Sequence, residues 1–183
     1  MFKRKEIRLN NKLKKIRLIS MDFDGVLTDS GIYLSNDELT FRKFNIKDGM
    51  GIKILQNKSI NIAIISGSNS KIIDKRANQL GINIIKKGIK NKANSIKEIQ
   101  DLLKINKEET LFLGDDINDL TVLPFVDLFF TPNDGHNSCK KVASYIGKFK
   151  GGEGFIREIA DKILLAKGEN PYQSFQSRND FSD

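Results

Sequence analysis

Residues 19–29, with the sequence ISMDFDGVLTD, take an apolar run directly into two acids and a glycine. The apolar residues are typical of a buried β-strand, and Gly25 marks a turn at its carboxyl end. Asp22 and Asp24 are two residues apart, so continued strand geometry would direct both carboxylates to the same side. A divalent cation would relieve their repulsion, but a surface turn with two solvated acids explains this segment alone equally well.

The composition is that of a single domain without a membrane span. The 183 residues suffice for one domain with its own core, and 39% are hydrophobic and 30% charged. No apolar run approaches the roughly 20 residues of a membrane helix, and the basic start lacks the apolar segment of a signal peptide. We therefore expect a cytoplasmic protein. A lone Cys139 and a lone His136 exclude an internal disulfide and a Cys/His zinc site.

The positive charge is concentrated at the amino terminus. Residues 1–17 hold eight bases and one acid, a local charge of +7 within a total of +8, so the rest of the chain carries only +1. Such an arm could contact RNA or acidic lipid, but it lacks the interleaved aromatic residues that stack on bases. We interpret it as a solvated basic arm with a helical start, and we expect neither nucleic acid nor membrane as a partner.

Strand-like and helix-like segments alternate from Ile16 onward. Short apolar runs, typical of strands covered on both faces, lie at residues 16–21, 60–66, 82–85, 110–114 and 126–131. Apolar residues at helical spacing mark residues 48–57, 69–80, 92–105 and 153–167. This alternation predicts an α/β fold with a Rossmann-like, doubly wound parallel sheet, in which functional residues lie at the carboxyl ends of the strands.

One segment interrupts the alternation directly after the first strand. Residues 31–35 and 39–44 are predicted to form two β segments around a turn, too small for a separate cap domain. We therefore predict a cap-less core with a β-hairpin insertion. The predicted organisation is a basic arm at residues 1–15, one domain at residues 16–167 and a polar tail at residues 168–183, which we expect to be mobile.

Two further predicted strands end in polar residues. Ser66 and Gly67 precede a helix, where a hydroxyl and exposed N–H groups can hold a phosphate, although the same residues could simply cap the helix. Asp115, Asp116 and Asp119 follow the fourth strand. Three acids in this short span suit a Mg²⁺ site, and their spacing lacks the alternating acids and final Glu of an EF-hand calcium loop.

The motifs resemble those of the haloacid-dehalogenase superfamily. Residues 22–29, DFDGVLTD, are similar to the first motif of its phosphatases, and residues 114–119, GDDIND, to its fourth. The form ending in LTD, with FNIKDGMG at residues 44–51 after the hairpin, resembles the 3-deoxy-D-manno-octulosonate 8-phosphate phosphatase branch. The likeness spans about residues 16–167. It implies a Mg²⁺-dependent phosphoric monoester hydrolase of lipopolysaccharide biosynthesis.

The resemblance also implies a catalytic role for several residues. Asp22 would be the nucleophile that forms an aspartyl phosphate, and Asp24 the general acid and then the base. Lys92, at the position of the third motif, would hold the phosphate and the Asp22 carboxylate together. Ser66 and Gly67 would bind the phosphate.

The resemblance further implies how the metal is held. Its ligands would be Asp22, the backbone carbonyl of Asp24, and Asp115, with waters and a phosphate oxygen completing an octahedral oxygen set. Asp116 or Asp119 would support a metal-bound water or Lys92, and we rank Asp116 first. His136 could line the same mouth, but a lone histidine is too weak a signal for a catalytic assignment.

Two departures from the branch keep the substrate open. Ser68 stands where the octulosonate enzymes usually have Arg, and Glu153 where Gly-Gly-Arg-Gly is common. Both changes remove a base that could bind an anionic substrate. A nine-carbon ulosonate 9-phosphate of the sialic-acid type is therefore an alternative substrate. A third interpretation is a non-catalytic oligomerisation module related to sugar-activating enzymes, which the intact motif residues oppose.

The hairpin predicts an oligomer. As an isolated two-stranded ribbon it would be marginal and would expose its apolar side chains. Pairing with the same ribbon of other subunits would bury that surface. By resemblance, four such hairpins form a barrel, so we expect a homotetramer in which a neighbour partly covers each active site.

Overall fold

A parallel β-sheet forms the centre of the protein in the computed structural model, which describes residues 2–171. The strands in chain order are β1 (Leu18–Met21), β2 (Tyr33–Leu34), β3 (Thr40–Phe41), β4 (Asn61–Ile65), β5 (Ile84–Lys86), β6 (Thr110–Leu113), β7 (Leu128–Thr131) and β8 (Tyr145–Ile146). Six of them form the sheet in the order β5-β4-β1-β6-β7-β8, all parallel. The predicted doubly wound parallel sheet is confirmed.

Helices cover both faces of the sheet. They are α1 (Phe2–Leu13), α2 (Ile46–Asn57), α3 (Lys71–Gln79), α4 (Lys92–Leu103), α5 (Asn137–Val142) and α6 (Phe155–Ala166), with 3₁₀ segments at Lys107–Glu109 and Ile117–Phe125. Alternate residues of the strands enter two separate apolar clusters. Ile62 and Ile64 pack with α2, α3 and α6, whereas Ala63 and Ile65 pack with α4 and the second 3₁₀ segment. None of the helices within residues 2–171 has the length and apolar character needed to cross a bilayer.

The winding of the chain places its switch point beside β1. From β1 the chain passes to β4 and β5 on one side and then returns to β6 on the other. In such sheets the crevice at the carboxyl ends of the strands is the ordinary place for a ligand. The ends of β1, β4 and β6 therefore converge where the sequence predicted polar residues. Strand β8, only two residues long, was not predicted.

The amino-terminal segment differs from its prediction. The sequence predicts a solvated arm with a helical start, whereas the structure forms the full helix α1. Its last residue, Leu13, is completely buried and packs into the core with Ile16. Lys12 also forms an ion pair with Asp127, with 2.7 Å between Nζ and Oδ1. The prediction of a solvated arm does not hold for this end of α1, because Leu9 and Leu13 anchor the helix to the core.

The insertion after β1 is the predicted hairpin. Strands β2 and β3 pair antiparallel, and a single bridge between Thr28 and Phe44 closes its base. The strands are only two residues long each, shorter than predicted. The predicted mobile tail lies mainly outside the described residues, because the structure describes the chain only to residue 171.

Candidate active site

The centre of the site is Asp22, the first residue after β1. Its N–H donates to the carbonyl oxygen of Leu113 at 3.0 Å, which continues the pairing with β6 by one more step. Its Oδ1 accepts from the N–H of Phe23 at 2.7 Å, and the residue is only 6% exposed. The carboxylate is therefore fixed at the carboxyl edge of the sheet.

Gly25 lets the loop after β1 approach the end of β6. Its φ of +86° is in the region that favours glycine. A Cβ at this position would lie 2.0 Å from Oδ2 of Asp115, a distance that no side chain can tolerate. The glycine of the first motif thus brings the Asp22 loop and Asp115 together.

Lys92 is a completely buried lysine at the start of α4. Its Nζ lies 2.9 Å from Oδ1 of Asp22 and 2.6 Å from Oδ1 of Asp119. The preceding residue, Asn91, caps the helix by accepting from the N–H of Ala93 at 3.0 Å. Burial alone would lower the pKa of Lys92, but the two carboxylates outweigh it and raise the pKa above its ordinary value. The ammonium charge is therefore held in the site.

Asp119, and not Asp116, is the partner of Lys92, which corrects the predicted ranking. Asp119 is completely buried, and its Oδ2 accepts from the N–H groups of Asp115 at 2.9 Å and Asp116 at 3.2 Å. Asp116 is exposed, and its Oδ1 accepts from the N–H of Ile117 at 2.7 Å. The 3₁₀ turn after β6 folds Asp119 back over the loop in a capping box and leaves Asp116 at the rim.

Three carboxylates lie close enough to hold a cation. Oxygen atoms of Asp22, Asp115 and Asp119 all lie within 4.8 Å of one another. Both oxygens of Asp119 are already engaged, by Lys92 and by two N–H groups, whereas Oδ1 of Asp115 is buried with no hydrogen-bond partner within residues 2–171. A hard cation with oxygen ligands fits this arrangement, with Asp22 and Asp115 facing it and Asp119 in support.

The electrostatics of the carboxylate cluster agree with this fit. Burial, then the charge of Asp119, raises the pKa of Asp22 to about 6, although Lys92 opposes the rise. Burial and the neighbouring carboxylates, Asp119 first, raise the pKa of Asp115 to about 8. Ionised carboxylates at this spacing repel each other, and a divalent cation would relieve that repulsion.

The carboxylates open onto a cavity of about 300 Å³. It is lined by Asp22, Asp24, Ser30, Ser66, Gly67, Ser68, Asp115, Asp116 and Asn118. Ser66 is buried, and its Oγ accepts from the N–H of Ser68 at 3.1 Å. Ser68 in turn accepts from the N–H of Ser70 at 3.2 Å, so its short side chain turns toward the start of α3. Of the predicted site residues, the structure brings Asp22, Asp24, Ser66, Gly67, Asp115 and Asp116 to one cavity. Lys92 is connected to it through its contact with Asp22.

Arg42 is a further residue of the site that was not predicted from the sequence. Its Nε donates to Oδ1 of Asp24 at 2.8 Å, and its side chain is only 9% exposed against 36% for that of Asp24. Arg42 follows β3, so the hairpin supplies a guanidinium to the loop after β1. The sequence held no signal for this contact, because a base at the end of a short exposed hairpin is ordinarily solvated.

The hairpin is also linked to the loop that contains Glu153. Lys43 lies between two acids, with Nζ 3.4 Å from Oε1 of Glu153 and 3.7 Å from Oδ2 of Asp29. Tyr33 donates its hydroxyl to the same Asp29 oxygen at 2.7 Å. Glu153, one of the two departures from the branch, therefore has a structural partner within its own chain.

His136 supports the site without facing it. Its N–H donates to the backbone carbonyl of Asp115 at 2.7 Å, and its Nδ1 accepts from the N–H of Ser138 at 3.1 Å at the start of α5. The ring therefore caps a helix, consistent with its omission from the predicted catalytic residues.

The class defined by this sheet and its acidic edge is the haloacid dehalogenase-like hydrolases, whose family model matches residues 62–159. The chain is 38% identical over 152 residues to the 3-deoxy-D-manno-octulosonate 8-phosphate phosphatase of Yersinia pestis, covering 83% of this chain and 81% of that protein. The chain belongs to this phosphatase family. The predicted family and the enzyme class, phosphoric monoester hydrolase, are confirmed.

Solved structures agree with this assignment. The 3-deoxy-D-manno-octulosonate 8-phosphate phosphatase of Moraxella catarrhalis, in complex with magnesium, phosphate and KDO, superposes with a TM-score of 0.86 at 30% identity, covering 93% of this chain and 97% of that one. The cobalt-bound deoxy-D-mannose-octulosonate 8-phosphate phosphatase of Haemophilus influenzae has a TM-score of 0.85 at 30% identity, with coverage of 91% and 99%.

Proposed function

We propose that this protein is a Mg²⁺-dependent phosphatase that hydrolyses 3-deoxy-D-manno-octulosonate 8-phosphate to the free sugar acid and phosphate. The observation that carries the proposal is the buried lysine between two carboxylates, Asp22 and Asp119, of which Asp22 lines a cavity of about 300 Å³. The names and bound ligands of the relatives supply the substrate and the metal.

The contacts of each site residue support one role in the proposed reaction. Asp22 attacks phosphorus, because it is the carboxylate that both faces the cavity and contacts Lys92. Asp24 gives a proton to the leaving sugar oxygen and then takes one from water. Lys92 holds the transferring oxygens beside Asp22, and Ser66 and Gly67 offer a hydroxyl and an N–H directly after β4, in the loop that leads to α3.

Asp22 and Asp115 would hold the Mg²⁺ ion, with the Asp24 carbonyl as the third protein ligand. When bound, the ion neutralises negative charge on the phosphate oxygens during the transfer. Asp119 keeps Lys92 and the loop after β6 in place, and Asp116 lies at the rim of the cavity.

We also propose that the protein works as a homotetramer in the cytoplasm, with residues 16–167 as its catalytic domain. The support is the exposed apolar surface of the hairpin, which includes Leu34 at 73% and Phe41 at 53% exposure. A single chain contains no cap large enough to cover the cavity within residues 2–171, so a neighbouring subunit would supply the cover.

A nine-carbon ulosonate 9-phosphate is the second candidate substrate. Ser68 lines the cavity with a short hydroxyl in place of the usual Arg, so a guanidinium is missing from this wall. A longer or differently charged sugar acid would fit such a change. The interpretation as a non-catalytic module is not proposed, because the relatives of this chain are phosphatases and its motif residues form one site.

A phosphate-release screen tests the substrate. Sugar phosphates of five to nine carbons are assayed with Mg²⁺, and we expect the highest kcat/KM for the eight-carbon ulosonate 8-phosphate. Asp22→Asn serves as the control, because an amide cannot form the aspartyl phosphate and the rate should fall about 10⁴-fold or more. A preference for the nine-carbon ester would select the second candidate. Substantial turnover by Asp22→Asn would reject the aspartyl-phosphate mechanism.

A further inference from the structure

Arg42 is the one cation of the hairpin that reaches a residue of the proposed catalytic pair. Its Nε lies 2.8 Å from Oδ1 of Asp24, and another guanidinium nitrogen donates to the carbonyl oxygen of Phe41 at 3.3 Å. The side chain of Arg42 is 9% exposed and that of Asp24 is 36% exposed, so this contact is partly shielded from water. A partly shielded, directional contact constrains its partner more than a fully exposed ion pair does.

We propose that Arg42 is a positioning residue for Asp24, and that it fixes which carboxylate oxygen faces the phosphate ester. The inference rests on the proposed function to the extent that Asp24 acts as the proton donor. Arg42 occupies Oδ1 of Asp24, so Oδ2 is the oxygen left to face the ester. The side chain thereby keeps one orientation toward the cavity that it lines.

The orientation of Asp24 matters in two proton transfers of the proposed reaction. An Asp22 oxygen bonds to phosphorus while the bond from phosphorus to the leaving oxygen breaks. The proton on Oδ2 of Asp24 moves to that oxygen, and the alcohol leaves. Water then attacks phosphorus of the aspartyl phosphate and gives one proton to Asp24, while the bond from phosphorus to the Asp22 oxygen breaks. Phosphate leaves, Asp22 is again a carboxylate, and Asp24 again carries its proton. Arg42 gives and takes no proton, and it acts on these transfers through its contact with Asp24.

The neighbouring Lys43 separates this role from simple anchoring of the hairpin. Lys43 ties the same strand end to Glu153 and Asp29, at 3.4 and 3.7 Å, and has no contact with Asp24. Loss of either base removes one positive charge and one tether from adjacent positions. Only the loss of Arg42 releases the proposed proton donor. Arg42→Met and Lys43→Met are therefore matched variants.

The test compares two aryl esters of nearly equal size, phenyl phosphate and p-nitrophenyl phosphate. Nitrophenolate leaves readily without a proton, whereas phenolate depends more on protonation. With both esters, kcat/KM reports the steps up to phosphoryl transfer to Asp22 and excludes the later hydrolysis. General acids typically contribute about 10²–10⁴-fold. We expect Arg42→Met to lower kcat/KM for phenyl phosphate at least ~10-fold more than for p-nitrophenyl phosphate.

The matched and combined variants make the result decisive. Lys43→Met should keep the wild-type ratio of the two kcat/KM values, and Arg42→Lys should restore part of the ratio lost in Arg42→Met. In an Asp24→Asn background the Arg42 substitution should not change the ratio further. Light scattering and circular dichroism verify that the variants are folded and assembled, and Arg42→Gln supplies the measurement if Arg42→Met does not fold.

A wild-type ratio in Arg42→Met, or in a folded Arg42→Gln variant used in its place, would overturn the proposal. A changed ratio that persists in the Asp24→Asn background would also overturn it, because Arg42 would then act elsewhere. Both outcomes are independent of the sugar. If no ulosonate phosphate is hydrolysed while the aryl esters still are, the proposed substrate fails but the role of Arg42 remains under test.

Discussion

Lys92 is completely buried, and a buried ammonium costs several kcal/mol unless it is well paired. Its two partners differ in surroundings. Asp119 is also completely buried and accepts two backbone N–H bonds, whereas Asp22 borders the cavity. Asp119 is therefore the permanent counter-ion. When Asp22 is phosphorylated during the proposed reaction, Lys92 keeps Asp119 as a carboxylate partner and remains charged beside the phosphate.

Substitution of Asp119 tests this division of roles. In Asp119→Asn the amide must direct N–H donors either at Lys92 or at the N–H groups of Asp115 and Asp116. We expect kcat/KM to fall about 10- to 100-fold, as for other residues that orient a metal or catalytic group. Asp116→Asn, which keeps an acceptor for the N–H of Ile117, should stay near the wild-type rate. A larger loss in Asp116→Asn than in Asp119→Asn would contradict the structure.

The raised pKa of Asp115 predicts how the stability of the metal-free protein depends on pH. The pKa of Asp115 in the folded state is about 8, above the ordinary 3.8 of an unfolded aspartate. The folded state then binds its proton more tightly, so this group makes stability fall as the pH rises from about 4 to about 8. Asp115→Asn removes that loss. In chelator, the variant should melt at a higher temperature than the wild type, by a margin that grows with pH.

Magnesium should reverse this order of melting temperatures between the wild type and Asp115→Asn. The ion neutralises the carboxylates, so it should raise the melting temperature of the wild type and not that of Asp115→Asn. Chelation should abolish phosphate release by the wild type, and added Mg²⁺ should restore it. Equal magnesium-induced shifts in both proteins, or full wild-type activity in excess chelator, would exclude Asp115 as a ligand.

The same residues show which parts of the site could be predicted from the sequence. Asp22, Asp115, Ser66 and Lys92 were predictable, because each occupies a motif position at the end of a strand or the start of a helix. The roles of Asp116 and Asp119 could not be separated by spacing. Which acid turns inward depends on the 3₁₀ geometry of the next turn, and that geometry depends on packing against the core.

At the scale of elements, helix α6 begins without a capping side chain of its own. Its first turn follows Gly154, with a φ of +111°, and the cap comes from α2. Asp48 accepts from the N–H of Gly154 at 3.1 Å and from the N–H of Arg157 at 2.9 Å, and it is 2% exposed. The Asp of the FNIKDGMG segment therefore joins two helices across the core face of the sheet.

Asp48→Ala should separate this structural role from catalysis. It leaves two buried N–H groups without an acceptor, which costs about 1–3 kcal/mol of unfolding free energy. At this chain length we expect the melting temperature to fall by roughly 2–4 °C per kcal/mol. Exposed Asp101, changed to Ala, is the matched control and should melt like the wild type. No loss in Asp48→Ala, measured by calorimetry, would show that water replaces the cap.

The helices and sheet were predictable for a related reason. Strands such as β4 are apolar on both faces, and helix α4 has periodic apolar residues, so both were predicted within two residues of their ends. The short β8 and the cap of α6 depend on contacts between residues distant in sequence. The burial of Leu13 needed the packing partner α6, which sequence periodicity does not identify.

At the scale of the whole molecule, the hairpin leaves an apolar surface unpaired. Its exposed residues are Ile32, Tyr33, Leu34, Leu39 and Phe41, between 47% and 73% exposed. Two strands of two residues each are too short to be stable on their own. Yet Arg42 and Lys43 tie the base of the hairpin to the catalytic loop and to Glu153. A contact between hairpins of different subunits would therefore act next to the active site.

The prediction for assembly uses two leucines of equal exposure. Leu34 in β2 and Leu102 in α4 are each 73% exposed, so Leu→Asp removes a similar apolar surface at both. Leu34→Asp should convert the proposed tetramer into smaller species, because the charge would enter the proposed contact between hairpins. Leu102→Asp should leave the tetramer intact. Light scattering at assay concentration measures both.

Paired kinetics link this assembly to specificity. A dissociated subunit with an uncovered cavity should still cleave a small ester, because Asp22, Lys92 and Asp115 all belong to one chain. It should lose contacts to the sugar, which need a surface over the mouth. Leu34→Asp is thus expected to lose most kcat/KM for the sugar phosphate and to keep part of it for p-nitrophenyl phosphate. A wild-type monomer with full selectivity would place the cover within the subunit itself, and the hairpin would then need another explanation for its exposed apolar face.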